Sequence, residues 1–486
     1  MPTGSFLLGV DVGSSGSKAG IFDLEGRRIA LHYAEYDHSV SETEINGFID
    51  DVCHVIRDTV IKSKIDPAEI SGIGLGAFVG GLVAIDKDGT ECMVWTDRDV
   101  STETESIRQS VDCAKQAKLP GRLESQLLSI KIKQPRIYQM TSKFLQMKDY
   151  VEFKLTGQAA TDWSEASLTM LFDPKKRVWS DDLVANIGLD IERLPKIVPS
   201  TSVIGEITNT IAEKTNLMKG TPVVAGGIDD AISILGLNAL ETGVASNVSG
   251  TVENLDVCVD RIIPEKPEYL RSGIEFLCNV IPNSYIIHVG SFLSGGFLRW
   301  FRDQLGKVEV DRAKGLQVDP FVVMDKEAEE IPIGSDGLIA EPPASVYIVG
   351  EYSYDGSLQG LSTRHRRGHI IRAILEGIAF NLKEDLDIMK KLGVPVQKVV
   401  ASGGCSRSTI LNQIKSDILG VPIFLTEETE PGVLGAAILA GVGAGIYANP
   451  TIAAGKMVME KENHFEPLHK AEYSKILNRR NRILAS

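Results

Sequence analysis

The stretch that decides the fold is Leu7 to Asp23, LLGVDVGSSGSKAGIFD. Leu7, Leu8 and Val10 make a short apolar strand that ends in Asp11. Gly13, Ser14, Ser15, Gly16, Ser17 and Lys18 then turn the chain back into a second strand, Ala19 to Phe22. A glycine-rich turn between strands gathers several backbone N–H groups on one concave side, with Ser and Lys side chains beside them. That is a phosphate cradle with a carboxylate at its lip. A Walker A loop needs Gly, four residues, then Gly-Lys-Ser/Thr and a helix, whereas Lys18 follows a shorter turn and leads into another apolar run. The stretch reads as a hairpin cradle; the bland alternative is an ordinary hairpin whose Gly and Ser only supply turn conformations.

The chain around this hairpin has 486 residues, too many for one core, and predicts two to three domains. A formal charge of −14 argues against a general nucleic-acid or anionic-membrane binder, since both need a positive footprint. A phosphate ligand must then be met locally, by N–H groups, a lysine and a metal ion. Six cysteines are scattered without a C-x-x-C pair, which signals neither a zinc site nor a disulfide framework and fits a reducing cytoplasm. No basic segment followed by an apolar run is visible near the N-terminus, so no secretory signal is expected. The most apolar run, Val433 to Tyr447, is too short to span a bilayer, and its Gly and Ala suit close helix packing.

Beyond the hairpin, Ile49 to Ile61 has apolar residues at helical spacing, and the glycine-studded run Ile70 to Ile85 follows Pro67. A βαβ order of this kind predicts an α/β sheet. Gly72 to Ala77 loosely fits the dinucleotide fingerprint G-x-G-x-x-G/A, but no helix pattern follows it, which argues against a nicotinamide site. Trp95, Thr96, Asp97 and Arg98 stand where a strand runs out; they either hold a polyhydroxylated ligand or are a core Trp with solvated charges. Residues 100 to 200 read as helical and polar, with a helix through Asp149 and Leu155 stopped by Gly157.

The sheet restarts at Val223, Val224 and Ala225 and runs into Gly226, Gly227, Ile228, Asp229, Asp230 and a small-residue helix to Gly236. An acid at a strand-to-helix turn lies at the edge where α/β proteins place ligands, so Asp229 or Asp230 is a candidate base. An N-cap role accounts for one of them but less easily for both. Ala245 to Val257 is a second strand, small polar turn and strand, echoing the opening hairpin after half the chain. The echo predicts two similarly built halves, 1–245 and 246–486, facing a common cleft. A glycine-opened helix follows Ser294, and a helix from Ile370 ends near Gly393. Lys398 to Ala401, Gly403-Gly404-Cys405 and the helix Thr409 to Leu419 then form a second anion-friendly edge.

Taken together and in this order, these segments resemble the FGGY family of carbohydrate kinases. The resemblance implies an α/β fold of two actin-like (ribonuclease H-like) ATPase domains facing a central cleft. It makes the opening hairpin, with Asp11, Gly13, Ser14, Ser15, Ser17 and Lys18, the first phosphate motif. It selects Asp229 over Asp230 as catalytic base, because the family's base lies in a Gly-Gly-x-Asp turn. Gly250 and Thr251 resemble the second phosphate motif, Gly403, Gly404, Cys405 and Ser408 the adenosine motif, and Gly295 another nucleotide-side position. Phe78, Val79, Gly80, Trp95, Asp97, Asp229 and Asp230 fall on the sugar side. There the chain departs from the pattern: xylulokinases carry Gln-Met-His-Gly and glycerol kinases Gln-Arg-Glu where this sequence has Ala77-Phe78-Val79-Gly80.

The implied activity is phosphorylation of a sugar or polyol hydroxyl by ATP and Mg2+, with Asp11 and Asp229 on the metal side and Asp229 taking the hydroxyl proton. An aspartate at its ordinary pKa of ~4 suffices as a late proton acceptor. A pentulose such as xylulose is the expected acceptor; glycerol, erythritol, a gluconate-like sugar acid, a non-metabolic actin-like ATPase switch and an inactive ligand sensor are the alternatives. A small-molecule substrate, no nucleic acid, no membrane, a possible homodimer and a cytoplasmic location complete the expectations.

Overall fold

Leu7, Leu8, Val10 and Val12 are wholly buried in the strand β1 (Phe6–Val12), which lies at the centre of a seven-stranded sheet. The computed structural model describes residues 4–36, 45–95, 100–110, 118, 121–266, 274–343 and 356–484. β1 pairs antiparallel with β2 (Gly16–Asp23), which pairs with β3 (Arg28–Glu35). On its other side β1 pairs in parallel with β4 (Ile70–Ala77), so the candidate dinucleotide fingerprint is strand interior and opens no helix. The sheet is completed by β5 (Val203–Glu206), β6 (Pro222–Val224) and the short β7 (Gly227–Ile228), the last two parallel to β4.

A second sheet repeats this plan. Its strands are β8 (Val244–Ser249), β9 (Val252–Val259), β10 (Ile274–Cys278), β11 (Tyr285–Leu293), β12 (Lys398–Ser402) and β13 (Ile423–Leu425). β8, β9 and β11 run antiparallel as β1, β2 and β3 do, and β12 and β13 lie parallel beyond β8 as β4 and β6 lie beyond β1. The echo between the two hairpins is thus an echo of whole sheets.

Amphipathic α1 (Ile45–Ser63) covers one face of the first sheet. Residues 100 to 200 hold several helices, among them α2 (Met147–Thr156), ended by Gly157 in a left-handed turn (φ 75°), and the one-turn α3 (Trp163–Ala166). Short strands interrupt them, including Lys143–Gln146, which joins Leu82–Ile85 and Glu91–Trp95 in a small sheet. The small-residue helices are α4 (Asp229–Gly236) and α8 (Pro431–Gly443). Between them in sequence lie α5 (Gly295–Gln304), α6 (Arg367–Lys391) and α7 (Thr409–Leu419), and α9 (Lys470–Leu484) ends the described chain.

Although α8 comes late in the sequence, it lies on the first sheet. A Cβ on Gly9 of β1 would sit 1.9 Å from the carbonyl oxygen of Val433, and one on Gly74 of β4 1.9 Å from that of Ala436. Glycine there lets the helix axis drop onto the strands. α8 crosses α4 at the same close range, a Cβ on Gly435 meeting the Ile232 carbonyl oxygen at 1.9 Å. The small-residue composition of both helices is therefore what allows a tight junction between the two halves of the chain.

Candidate active site

Register alone brings the acidic residues to one edge. Asp11 pairs with Gly76 across β1 and β4, and Gly76 pairs with Gly227 across β4 and β7. Two residues beyond Gly227, Asp229 opens α4, with its Oδ1 accepting the Asp230 N–H at 3.1 Å. Neither aspartate is the N-cap, which is Ile228. The turn before them depends on Gly226, whose φ is +58° and whose Cβ would lie 1.8 Å from the Leu75 carbonyl oxygen. Phe78, Val79 and Gly80 leave the sheet at the same edge, Phe78 N–H donating to the Val12 carbonyl at 2.9 Å. Val79 is exposed there, and Gly80 takes φ +133°.

The first hairpin turn closes through Gly13 N–H to the Gly16 carbonyl at 2.9 Å, leaving Ser14 and Ser15 exposed. Ser17 is buried and hydrogen-bonded to the Tyr36 hydroxyl, so its side chain braces the turn from behind. Lys18 reaches Glu430, the residue just before α8, at 2.6 Å.

On the second sheet, the turn at Gly250 and Thr251 meets the start of α5: Gly295 N–H donates to the Gly250 carbonyl and Gly296 N–H to that of Thr251, both at 3.0 Å. Gly295 and Gly403 back onto this turn so closely that a Cβ on either would lie 2.3 and 2.5 Å from the carbonyl oxygens of Gly250 and Ser249. Cys405 Sγ adjoins the Gly250 carbonyl at 3.8 Å, and Gly404 is exposed beside it. Ser408 caps α7, its Oγ accepting the Leu411 N–H at 3.1 Å. Beneath the turn, buried Lys415 is bonded to Glu253, to Asn247 at 3.0 Å and to Ser249 at 3.3 Å.

Residues 6–236 match the N-terminal domain and residues 265–444 the C-terminal domain of the FGGY family of carbohydrate kinases. The chain belongs to that family. This FGGY kinase is 27% identical over 479 residues to the xylulose kinase of Bacillus subtilis (strain 168), covering 94% of the chain and 91% of the relative. It is 29% identical over 478 residues to the gluconokinase of Bacillus licheniformis, covering 94% and 90%. The ligand-bound xylulose kinase from Lactobacillus acidophilus superposes with a TM-score of 0.83 at 23% identity, covering 99% of both chains. The fold is the two-domain actin-like, ribonuclease H-like one, and FGGY kinases use ATP as phosphoryl donor.

The kinase's acidic edge is electrostatically loaded. Burial raises Asp11 to about 6, with Lys18 opposing the shift. Burial, then Asp230, then Asp11 hold Asp229 well above its ordinary value. The ordinary aspartate expected from sequence is therefore corrected by its setting, a helix start walled by two further carboxylates. Burial also lifts Asp230 to about 6, with His288 acting against it.

Two residues that sequence reasoning passed over face Asp230. Asn254 Nδ2 donates to Asp230 Oδ1 at 3.0 Å, and His288 Nδ1 lies 3.6 Å from Asp230 Oδ2 and 2.7 Å from Asp256 Oδ1. Burial disfavours the imidazolium, but Asp230 and Asp256 outweigh it and raise His288 to about 10. The one available signal was a lone histidine inside the apolar run of β11. Glu430 was missed too, its signal being an acid directly before the Pro431 that opens α8. Trp95 ends its strand beside Leu82, whereas Thr96, Asp97 and Arg98 lie outside the described residues. Among the described residues, no helix is long and apolar enough to cross a membrane.

Proposed function

We propose that this protein transfers the γ-phosphoryl group of ATP to a hydroxyl of a neutral polyhydroxylated acceptor, a pentulose such as xylulose being the reference substrate. The observation that carries the reading is the convergence of Asp11, Asp229 and Asp230 at one sheet edge, where the first hairpin also ends.

Units 1–245 and 246–486 act as two lobes around a cleft. The hairpin turns, with Gly13, Ser14, Ser15, Lys18, Gly250 and Thr251, hold the phosphates through backbone N–H groups and the lysine. Gly295, Gly403, Gly404 and Cys405 line the nucleoside side. The acceptor lies against Phe78 to Gly80, with Asp230, Asn254 and His288 bonding its hydroxyls. Asp229 takes the proton of the attacking hydroxyl as the new O–P bond forms and the bond to the ADP oxygen breaks. Its raised pKa makes its ionised form a stronger proton acceptor than that of a free aspartate.

Asp11 and Asp229 offer the hard oxygen donors that suit Mg2+, which when bound offsets the phosphate charge. ADP release from MgATP across ketoses, polyols and aldonates tests the proposal. One strong neutral acceptor supports it, and a preference for an aldonate overturns the acceptor class.

A further inference from the structure

Ala225 to Ile228, the tetrapeptide that delivers Asp229, contains two glycines and carries little side chain of its own. Its position must be imposed from outside. The residues that impose it lie beneath the sheet edge, in a polar cluster shut off from solvent.

Lys148, in the first turn of α2, is wholly buried. Its Nζ donates to the Ala225 carbonyl at 2.9 Å and to Asp149 at 3.0 Å, and lies 3.4 Å from Asp162 Oδ1. Asp162 caps α3, and its Oδ2 accepts from Ser164 Oγ at 2.7 Å and from Ser200 Oγ at 2.8 Å. Ser164 Oγ in turn accepts the Ile228 N–H at 3.0 Å. The contacts run from the Ala225 carbonyl through Lys148, Asp162 and Ser164 to Ile228, so both ends of the tetrapeptide are pinned by one network.

Buried ion clusters are poor devices for stability, because desolvation consumes most of the Coulombic gain. Their better use is to fix one arrangement among several. Glu152 and Glu165 are buried around the same lysine, where burial above all holds both well above their ordinary range. A fully buried lysine spent on a backbone carbonyl next to a Gly-Gly turn is the arrangement such a role requires.

We propose that Lys148, Asp162 and Ser164 are positioning residues for phosphoryl transfer, fixing the Asp229 carboxylate by clamping Ala225 and Ile228. The inference rests on the reading of Asp229 as base. Displacing a reacting group by about 1 Å costs on the order of 100-fold in rate, so loosening this clamp acts on kcat.

Ser164→Ala and Ser200→Ala form the test. Each removes one hydroxyl from the same oxygen of Asp162, but only Ser164 also holds Ile228. Ser164→Ala is expected to lower kcat by ~10- to 100-fold, leave both KM values within about twofold, and speed amide hydrogen exchange at Ile228. Ser200→Ala is expected to lower Tm comparably while kcat stays within about twofold. Equal kcat in the two variants, or a Ser164→Ala defect confined to KM, overturns the proposal. Asp229→Asn measured alongside separates the two readings. If it retains turnover, the base assignment fails; if it is inactive while Ser164→Ala is fully active, only the clamp fails.

Discussion

Lys18 and Glu430 meet at 2.6 Å, although 412 residues separate them in sequence. The pair ties the first hairpin to the start of the helix that crosses from one half of the chain onto the other's sheet. Burial disfavours the Lys18 charge, but Glu430 and then Asp11 outweigh it, and the lysine's pKa is raised. The amine that would meet a phosphate is held by a carboxylate in this structure.

Glu430→Gln is therefore expected to tighten ATP binding several-fold in calorimetric titration, and Lys18→Met to weaken it. Both side chains are partly exposed, so the stability change stays below about 1 kcal/mol. Weaker ATP binding in Glu430→Gln would show that the glutamate supports the nucleotide site.

The acid limb of kcat/KM is expected near pH 6, since Asp11 and Asp230 are raised to about 6 and Asp229 too is held well above its ordinary value. Activity rises with pH through that limb because the carboxylates must ionise. Stability runs the other way. Between the ordinary 3.8 and about 6 the folded state keeps protons that the unfolded chain releases, so these aspartates destabilise the fold progressively as pH rises. A limb near pH 4 in a pH–rate series contradicts the burial of this cluster.

His288 supplies the cation between Asp230 and Asp256. Its contribution to stability is complete below 6.5 and lost as pH rises through about 10. His288→Asn leaves the two carboxylates facing each other, and is expected to cost roughly 3 kcal/mol in denaturant unfolding. It is also expected to raise the acceptor KM ~10-fold while the ATP KM holds, one lost charge-assisted hydrogen bond being worth about that much. An unchanged acceptor KM removes His288 from the sugar side.

The crossing of α4 and α8 leaves no space for a side chain at Gly435, where a Cβ would lie 1.9 Å from the Ile232 carbonyl oxygen. Gly435→Ala is expected to destabilise the protein by about 2 kcal/mol or more, read as a lower Tm. A neutral substitution would mean that the helices separate easily.

Much of this architecture is legible in sequence where chemistry is local. The apolar strands and Gly-Ser turn of Leu7 to Asp23 form the expected hairpin, and the Gly-Gly run into Asp229 forms a strand-to-helix turn. Ala245 to Val257 echoes the opening hairpin for a structural reason, since both begin equivalent sheets. What sequence did not reveal depends on register between distant strands. Asp256 and His288 face each other across β9 and β11, and no periodicity within either strand announces the partner. Nor does spacing predict an aspartate's pKa, because the burial and neighbouring carboxylates that raise Asp229 arrive from separate segments.

The role of Asp229 is tested most directly by acceptor-dependent ADP formation in Asp229→Asn, with ATP binding followed by calorimetry on the same preparation. Turnover is expected to fall at least ~1,000-fold, with ATP affinity within a few-fold of the parent. Retained turnover, or ATP binding lost while turnover persists, would contradict Asp229 as the group that takes the acceptor's proton.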